Sequence, residues 1–322
     1  MPTSSPDAQL LAEPARLLSR EYWRVGSIGP ISTTAAVGSV VCRISVVGAG
    51  MARTKQSVVV GVDGSESSLR AALWAADEAV RLSAPLHLVL VNNDPAREPH
   101  AKAVVHDISS SCRQAVPELE ITDEVGPGHP AEELVHRSAS ALLVVVGSRG
   151  QGAFRETLLG STSAAVATHA STPVVVVPGA PSPESGPVVV GTDGSTGSRA
   201  ALRFAFEAAA RRHGELVAVQ ALPNAYFIPG PYDHPDRDEL VAAANQNLAD
   251  QVSIWAGNFP DVPVRRVVSN VPPVQALREA ACQAQLLVVG HRGLGGFTGL
   301  LVGSVARGVL HHAPCPVAVV PG

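Results

Sequence analysis

Lysine is almost missing from this chain: Lys55 and Lys102 are the only two in 322 residues, and arginine carries the rest of the positive charge. Neither lysine lies near a glycine cluster, so GxxxxGK[ST], in which a lysine reaches the phosphates, has no candidate. Aromatic residues make up 4%, too few for stacking platforms that hold single-stranded nucleic acid. The formal net charge of -4 provides no basic footprint for nucleic acid and no face for anionic lipid. The four cysteines, Cys42, Cys112, Cys282 and Cys315, stand far apart without a CxxC. Neither a zinc site nor a disulfide framework is suggested, and a reducing, cytoplasmic setting is expected. Long apolar runs are also missing. The best one, "VGSIGPISTTAAVGSVVC", is diluted by Gly, Pro, Ser and Thr, which argues against a membrane span. Asp7, Glu13 and Glu21 precede it, which argues against a signal peptide. Neither nucleic acid nor a membrane is an expected partner.

What the chain does contain is a duplication. "SVVVGVDGSESSLRAALWAADEA" at 57–79 matches "PVVVGTDGSTGSRAALRFAFEAA" at 187–209, with one residue deleted. Residues 147–179 match 290–322 without a gap, at about half the positions. A period above 100 residues means duplicated domains rather than solenoid units. The expected organisation is an N-terminal extension over 1–54, disordered or produced by an upstream start. A first domain over 55–179, a Pro/Gly/Ser linker over 180–186 and a second domain over 187–322 follow.

Within each copy, aliphatic runs alternate with amphipathic ones. In the first, "SVVVGV", "PLHLVLV", "LEITDEV", "ALLVVV" and "PVVVV" read as strands, and the segments between them as helices. The second repeats the order, with a longer insertion carrying "PNAYFIPGPYDHPDRDEL". Continuous aliphatic strands separated by helices imply an α/β fold: two tandem open parallel sheets covered on both faces, Rossmann-like in kind.

In such sheets ligands sit beyond the carboxyl ends of the strands. Asp63 and Asp193 follow the first strand of each copy, and glycine-rich loops follow the fourth: "GSRGQGAFRETLLGST" at 147–162 and "GHRGLGGFTGLLVGSV" at 290–305. Glycines let backbone N–H groups approach an anion closely. Ser161 and Ser304 read as N-caps opening the next helix. Its free N–H groups and dipole favour a phosphate by up to about 2 kcal/mol. Asp63 or Asp193 would bond a ribose hydroxyl or orient a magnesium-bound water; an acid capping its own turn is the alternative. Arg149 and Arg292 suit a phosphate contact or plain solvent equally. The turn is not a dinucleotide fingerprint, because it follows the fourth strand rather than the first. "HH" at 311–312 has no further ligands at metal spacing, and His169 and His312 read as helix-end residues.

The spacing G-x2-G-x9-G-[ST] resembles the nucleotide motif of the ATP-binding universal stress proteins. It occurs at Gly147, Gly150, Gly160, Ser161 and again at Gly290, Gly293, Gly303, Ser304. "VVVGVDGS", "VVVGTDGS" and "CPVAVVPG" resemble that family's opening and closing strands, so the likeness spans roughly 55–322. It implies a tandem protein of actinobacterial type, with five-stranded sheets in the order 3-2-1-4-5 whose closing strands pair across a pseudo-twofold. It also implies ATP with Mg2+, one nucleotide per domain. In the first copy the contacts would be Gly61, Asp63, Gly147, Ser148, Arg149, Gly150, Gln151, Gly152, Ala153, Gly160, Ser161 and Thr162. In the second they would be Gly191, Asp193, Gly290, His291, Arg292, Gly293, Leu294, Gly295, Gly296, Gly303, Ser304 and Val305. Departures are His291 for Ser148, Thr192 for Val62, and a longer stretch between acid and loop in the second copy.

The resemblance implies a nucleotide-dependent regulator of stress survival or growth, with an unidentified protein partner and the option of a homodimer. A slow ATPase or phosphoryl-transfer enzyme is the first alternative, but no general base or loop lysine is aimed at a γ-phosphate. A nucleotide-free interaction scaffold is the second.

Overall fold

The computed structural model describes residues 56–150, 159–181, 183, 185–222, 237–293 and 302–322. The first half runs β1 (Val58–Gly61), α1 (Glu66–Arg81), β2 (Leu86–Val91), a 3-10 turn (Pro95–Arg97) and α2 (Glu98–Ala115). It continues through β3 (Ile121–Gly126), α3 (Pro130–Ser138), β4 (Leu143–Gly147), α4 (Ser161–His169) and β5 (Val174–Val177). The second half is β6 (Val188–Gly191), α5 (Thr196–Arg211), β7 (Leu216–Ala221) and α6 (Arg237–Ala256). It closes with β8 (Val264–Ser269), α7 (Pro273–Ala280), β9 (Leu286–Gly290), α8 (Ser304–His312) and β10 (Val317–Val320).

The strand order is β3-β2-β1-β4-β5-β10-β9-β6-β7-β8. Each half is parallel in the expected order 3-2-1-4-5, and the halves join into one ten-stranded sheet through an antiparallel β5–β10 pair. Ala318 faces Val175 at the centre of that pair, flanked by Val317 opposite Val176 and Val319 opposite Val174. Because Val174 and Val317 are equivalent in the duplicated sequence, as are Val176 and Val319, this register is a pseudo-twofold. It also covers aliphatic edges that each half alone would expose.

Valines alternate between the two faces of the sheet, which is why the strands lack a polar side. Val58 and Val60 join the core under α1, α2, α5 and α6. Val59, Val144 and Val146 join the core under α3, α4, α7 and α8. Helix α1 approaches closely because alanines make up most of its buried face: Ala71, Ala72, Ala75, Ala76 and Ala79 are fully buried.

The structure corrects the alignment of the first repeat. Ser65 and Ser195 both cap their helices through a bond from the N–H three residues on, and Gly64 and Gly194 share φ of +83°. The buried positions of α1 fall 130 residues before those of α5 throughout, from Ser67 and Gly197 to Ala79 and Ala209. No residue is deleted. Matching the letters "RAAL" at 70–73 and 199–202 shifts the helix by one position, turning its apolar face away from the sheet.

Candidate functional site

Strands β1 and β4 lie side by side in register, Gly61 opposite Val146, so the segments leaving their carboxyl ends face one another. After β1 the chain turns through Gly64, where φ of +83° requires a glycine. Asp63 Oδ1 accepts a bond from the Ser65 N–H at 3.0 Å, and the Asp63 N–H donates to Ser68 Oγ at 3.3 Å. Ser65 Oγ caps α1 by accepting from the Ser68 N–H at 3.1 Å. The Asp63 carboxylate therefore caps its own turn through one oxygen while the other reaches across the gap, against Gly150.

On the β4 side the loop is pinned at both ends. The Ser148 N–H donates to the Val177 carbonyl at 2.8 Å, extending the β4–β5 ladder, and the Gly160 N–H returns to the Ser148 carbonyl at 2.7 Å. Ser163 Oγ donates to the Gly147 carbonyl at 2.6 Å. Gly147 presses on the first turn of α1, where a Cβ would stand 2.6 Å from Ser67 Oγ and 2.9 Å from its backbone.

The helix α4 corrects a second expectation: its N-cap is Gly160, not Ser161, and no side chain caps it. Gly303 plays the same part for α8, displacing Ser304. Neither glycine is forced by geometry. Gly160 has φ of -72° and Gly303 -62°, open to any residue. Among the described residues, a Cβ would meet nothing nearer than 3.5 Å at Gly160 or 3.4 Å at Gly303. Serine caps the helices after β1 and β6, whereas glycine leaves the starts of α4 and α8 without a side chain before them.

These parts enclose a cleft of about 460 Å³. Of the residues named from the sequence, Gly61, Asp63, Gly147, Arg149, Gly150, Gly160, Ser161 and Thr162 line it, while Ser148 is buried away from it because it extends the ladder. Arg149 also packs its guanidinium against Gly179 at the end of β5. The sequence reading missed the apolar wall: Val89 and Val91 at the end of β2, and Pro130 and Leu134 on α3. Leu134 packs so closely over Gly61 that a Cβ there would stand 2.6 Å away. Gln151, Gly152 and Ala153 lie outside the described residues, as do Leu294, Gly295 and Gly296.

The second half repeats the arrangement. Asp193 Oδ1 accepts from the Ser195 N–H at 3.0 Å, and its other oxygen stands against Gly293. Gly290 abuts Gly197 in the first turn of α5, a Cβ there standing 2.6 Å from the Gly197 carbonyl carbon, and Leu277 replaces Leu134 over Gly191. The Gly303 N–H donates to the His291 carbonyl at 2.9 Å, and Val305 is half-buried against the core on that face. Three differences stand out. Gly197 replaces Ser67, since a Cβ there would come 2.5 Å from the Arg292 carbonyl. Buried Thr192 joins Gln251 of α6 and Ser198, where the first half has Val62. His291 Nε2–H donates to the Thr168 carbonyl at the end of α4, 2.9 Å away. Burial holds the His291 imidazole below its ordinary range.

The profile of the universal stress protein family matches residues 55–178 and again 185–321. The chain belongs to the universal stress protein family. A universal stress protein of Mycobacterium tuberculosis is 37% identical over 289 residues, covering 83% of this chain and 97% of the relative. The crystal structure of a universal stress protein from Archaeoglobus fulgidus shares the fold, with a TM-score of 0.61 at 20% identity, over 83% of this chain and 97% of that one. A universal stress protein solved in complex with cAMP is 32% identical, covering 39% of this chain and 98% of that one, with a TM-score of 0.34. Tandem copies of the family's α/β domain therefore account for the ten-stranded sheet. Among the described residues no helix is long and apolar enough to cross a membrane.

Proposed function

We propose that this universal stress protein is a nucleotide-dependent regulator that binds ATP, one molecule in each half. The observation that carries the reading is the pair of helix starts at Gly160 and Gly303. Neither N-cap residue offers a side-chain cap, although among the described residues nothing in the backbone or packing demands glycine. A helix start with open N–H groups favours an anion, and a side chain at either glycine would stand where a phosphate has to approach. Ser161 and Thr162 add hydroxyl donors at the first cleft and Ser304 at the second. The apolar wall of Val89, Val91 and Leu134 suits a flat base. Asp63, facing that wall from the end of β1, suits a ribose hydroxyl.

Mg2+ would arrive on the phosphates. The donor set fits that role, because one carboxylate and a few hydroxyls complete a shell that phosphate oxygens and water already supply. Ser161 would hold it, with Ser304 in the second half, and Asp63 or Asp193 would orient a magnesium-bound water as the alternative to the ribose contact. Occupancy would set the conformation or assembly that a partner reads, and family membership directs that output toward stress survival or growth.

Equilibrium binding of Mg-ATP to the intact chain tests this. Two molecules bind the parent, one binds Gly160→Asp or Gly303→Asp, and none binds the double variant. Aspartate is a better N-cap than glycine by a few tenths of a kcal/mol, so the thermal midpoint of the nucleotide-free variants does not fall. Unchanged binding in the double variant would remove the reading and leave a nucleotide-free scaffold in its place.

A further inference from the structure

The pseudo-twofold that relates the halves is broken at a buried ion pair. Glu78 in the last turns of α1 pairs with Arg212 at the end of α5, Nη2 to Oε2 at 2.5 Å and Nη1 to Oε1 at 3.5 Å. The two side chains are 2% and 3% exposed. Arg81 stands 3.9 Å from the same carboxylate, and the Arg212 guanidinium lies 6.0 Å from the centre of the Trp74 ring. The buried positions that fix the equivalence of α1 and α5 place Ala208 where the first half has Glu78, and Leu82 where the second half has Arg212. Ala208 is fully buried and Leu82 packs against the same core. The twofold therefore carries a Glu–Arg pair on one side of its axis and places Ala208 and Leu82 at the equivalent positions on the other.

We propose that Glu78 and Arg212 select the partner across this interface, so that a first half accepts a second half of the same kind of chain and rejects another first half. Two first halves joined through β5 would set each Glu78 against a Leu82. Two second halves joined through β10 would set each Arg212 against an Ala208. Two second halves would bury each Arg212 without this counter-ion, and two first halves would leave each buried Glu78 only the longer contact to the half-exposed Arg81; both are disfavoured, whereas the mixed pairing satisfies both charges. The strands at the junction do not discriminate: Val174, Val175 and Val176 meet Val317, Ala318 and Val319, and valine and alanine accept either neighbour. The other asymmetric contact named above, His291 to the Thr168 carbonyl, is a neutral hydrogen bond, weaker as a discriminator than a buried charge. The pair thus holds the duplicated chain as one closed unit and keeps its adhesive edges from joining chains to each other.

Two measurements on the full chain test this. In thermal denaturation, Glu78→Ala strands the buried Arg212 and lowers the midpoint by about ten degrees, and Arg212→Leu, which leaves Glu78 only Arg81, lowers it by about half as much. Together they give both sides of the axis the same alanine and leucine, and the midpoint returns to within a few degrees of the parent. For partner choice, a protease site is placed within 180–186, the folded chain is cut there, and the halves are unfolded and refolded together. Native mass spectrometry then counts the pairs. The parent and the swapped variant Glu78→Arg/Arg212→Glu give mixed pairs alone. Glu78→Ala/Arg212→Leu gives like pairs as well, approaching one to two to one. Single variants that leave the midpoint unchanged would overturn the proposal, as would like pairs in the parent or none in the double variant.

Discussion

Gly150 and Gly293 sit where the acid of one loop meets the backbone of the other, and in each case a Cβ would enter the space of the second carboxylate oxygen. The carboxylates cannot simply swing away, because their first oxygens are held by the N–H of Ser65 and Ser195. Gly150→Ala is therefore expected to push Asp63 out of position and weaken nucleotide binding in the first cleft by about tenfold, ~1.4 kcal/mol. The fold should lose only ~1 kcal/mol. Titration calorimetry and urea unfolding on the same variant separate the two effects. At His291 the readout is pH. Burial, opposed by the bond to the Thr168 carbonyl and reinforced by Arg292 and His169, lowers its pKa in the folded chain. The unfolded chain therefore takes up a proton that the folded one resists, so this contribution is intact above the ordinary histidine value of about 6.5 and is lost as pH falls below it. His291→Gln should flatten the stability profile between about pH 7 and 5, leaving the acid sensitivity of His87 and His311, which are shifted the same way. An unchanged profile would mean that His291 is not desolvated in solution.

At the scale of elements, the two kinds of helix start divide the labour. Ser65 and Ser195 spend their hydroxyls on capping α1 and α5, and Ser65→Ala should cost ~1 kcal/mol of unfolding free energy with little direct effect on the opposite wall of the cleft. Helices α4 and α8 give up that stabilisation. Their glycines were legible in the sequence as parts of a loop, but not as caps, because Ser161 and Ser304 look like better ones. Only the backbone angles show that each helix begins one residue earlier than those serine caps imply, at Ser161 and Ser304. The strands were legible because valine runs bounded by Gly and Pro leave few other readings, and the helices because alanines recur at helical spacing. The register of α1 against α5 was not, since "RAAL" offers a better match of letters than of faces. The wall of Val89, Val91 and Leu134 was equally hidden. Apolar residues that line a cleft look the same in sequence as those that fill a core, and which strand ends meet depends on an order the residues alone do not state.

For the whole molecule, the duplication makes a pair of clefts on one continuous sheet, with the twofold at Val175 and Ala318. His291 connects them: its carbonyl receives the Gly303 N–H at the second cleft, and its ring donates to the end of the helix that begins at the first. The first half has Ser148 in that position, so the copies are expected to bind with unequal affinity, and a two-site isotherm should show it. The measurement that bears most directly on the central claim is native mass spectrometry of the freshly purified full chain, before and after addition of Mg-ATP, with chromatography of an acid extract to identify what is bound. Two adenine nucleotides per chain is the expected result. A chain that arrives empty and stays empty at millimolar Mg-ATP would contradict it, leaving the glycine-capped helix starts without a phosphate to explain them.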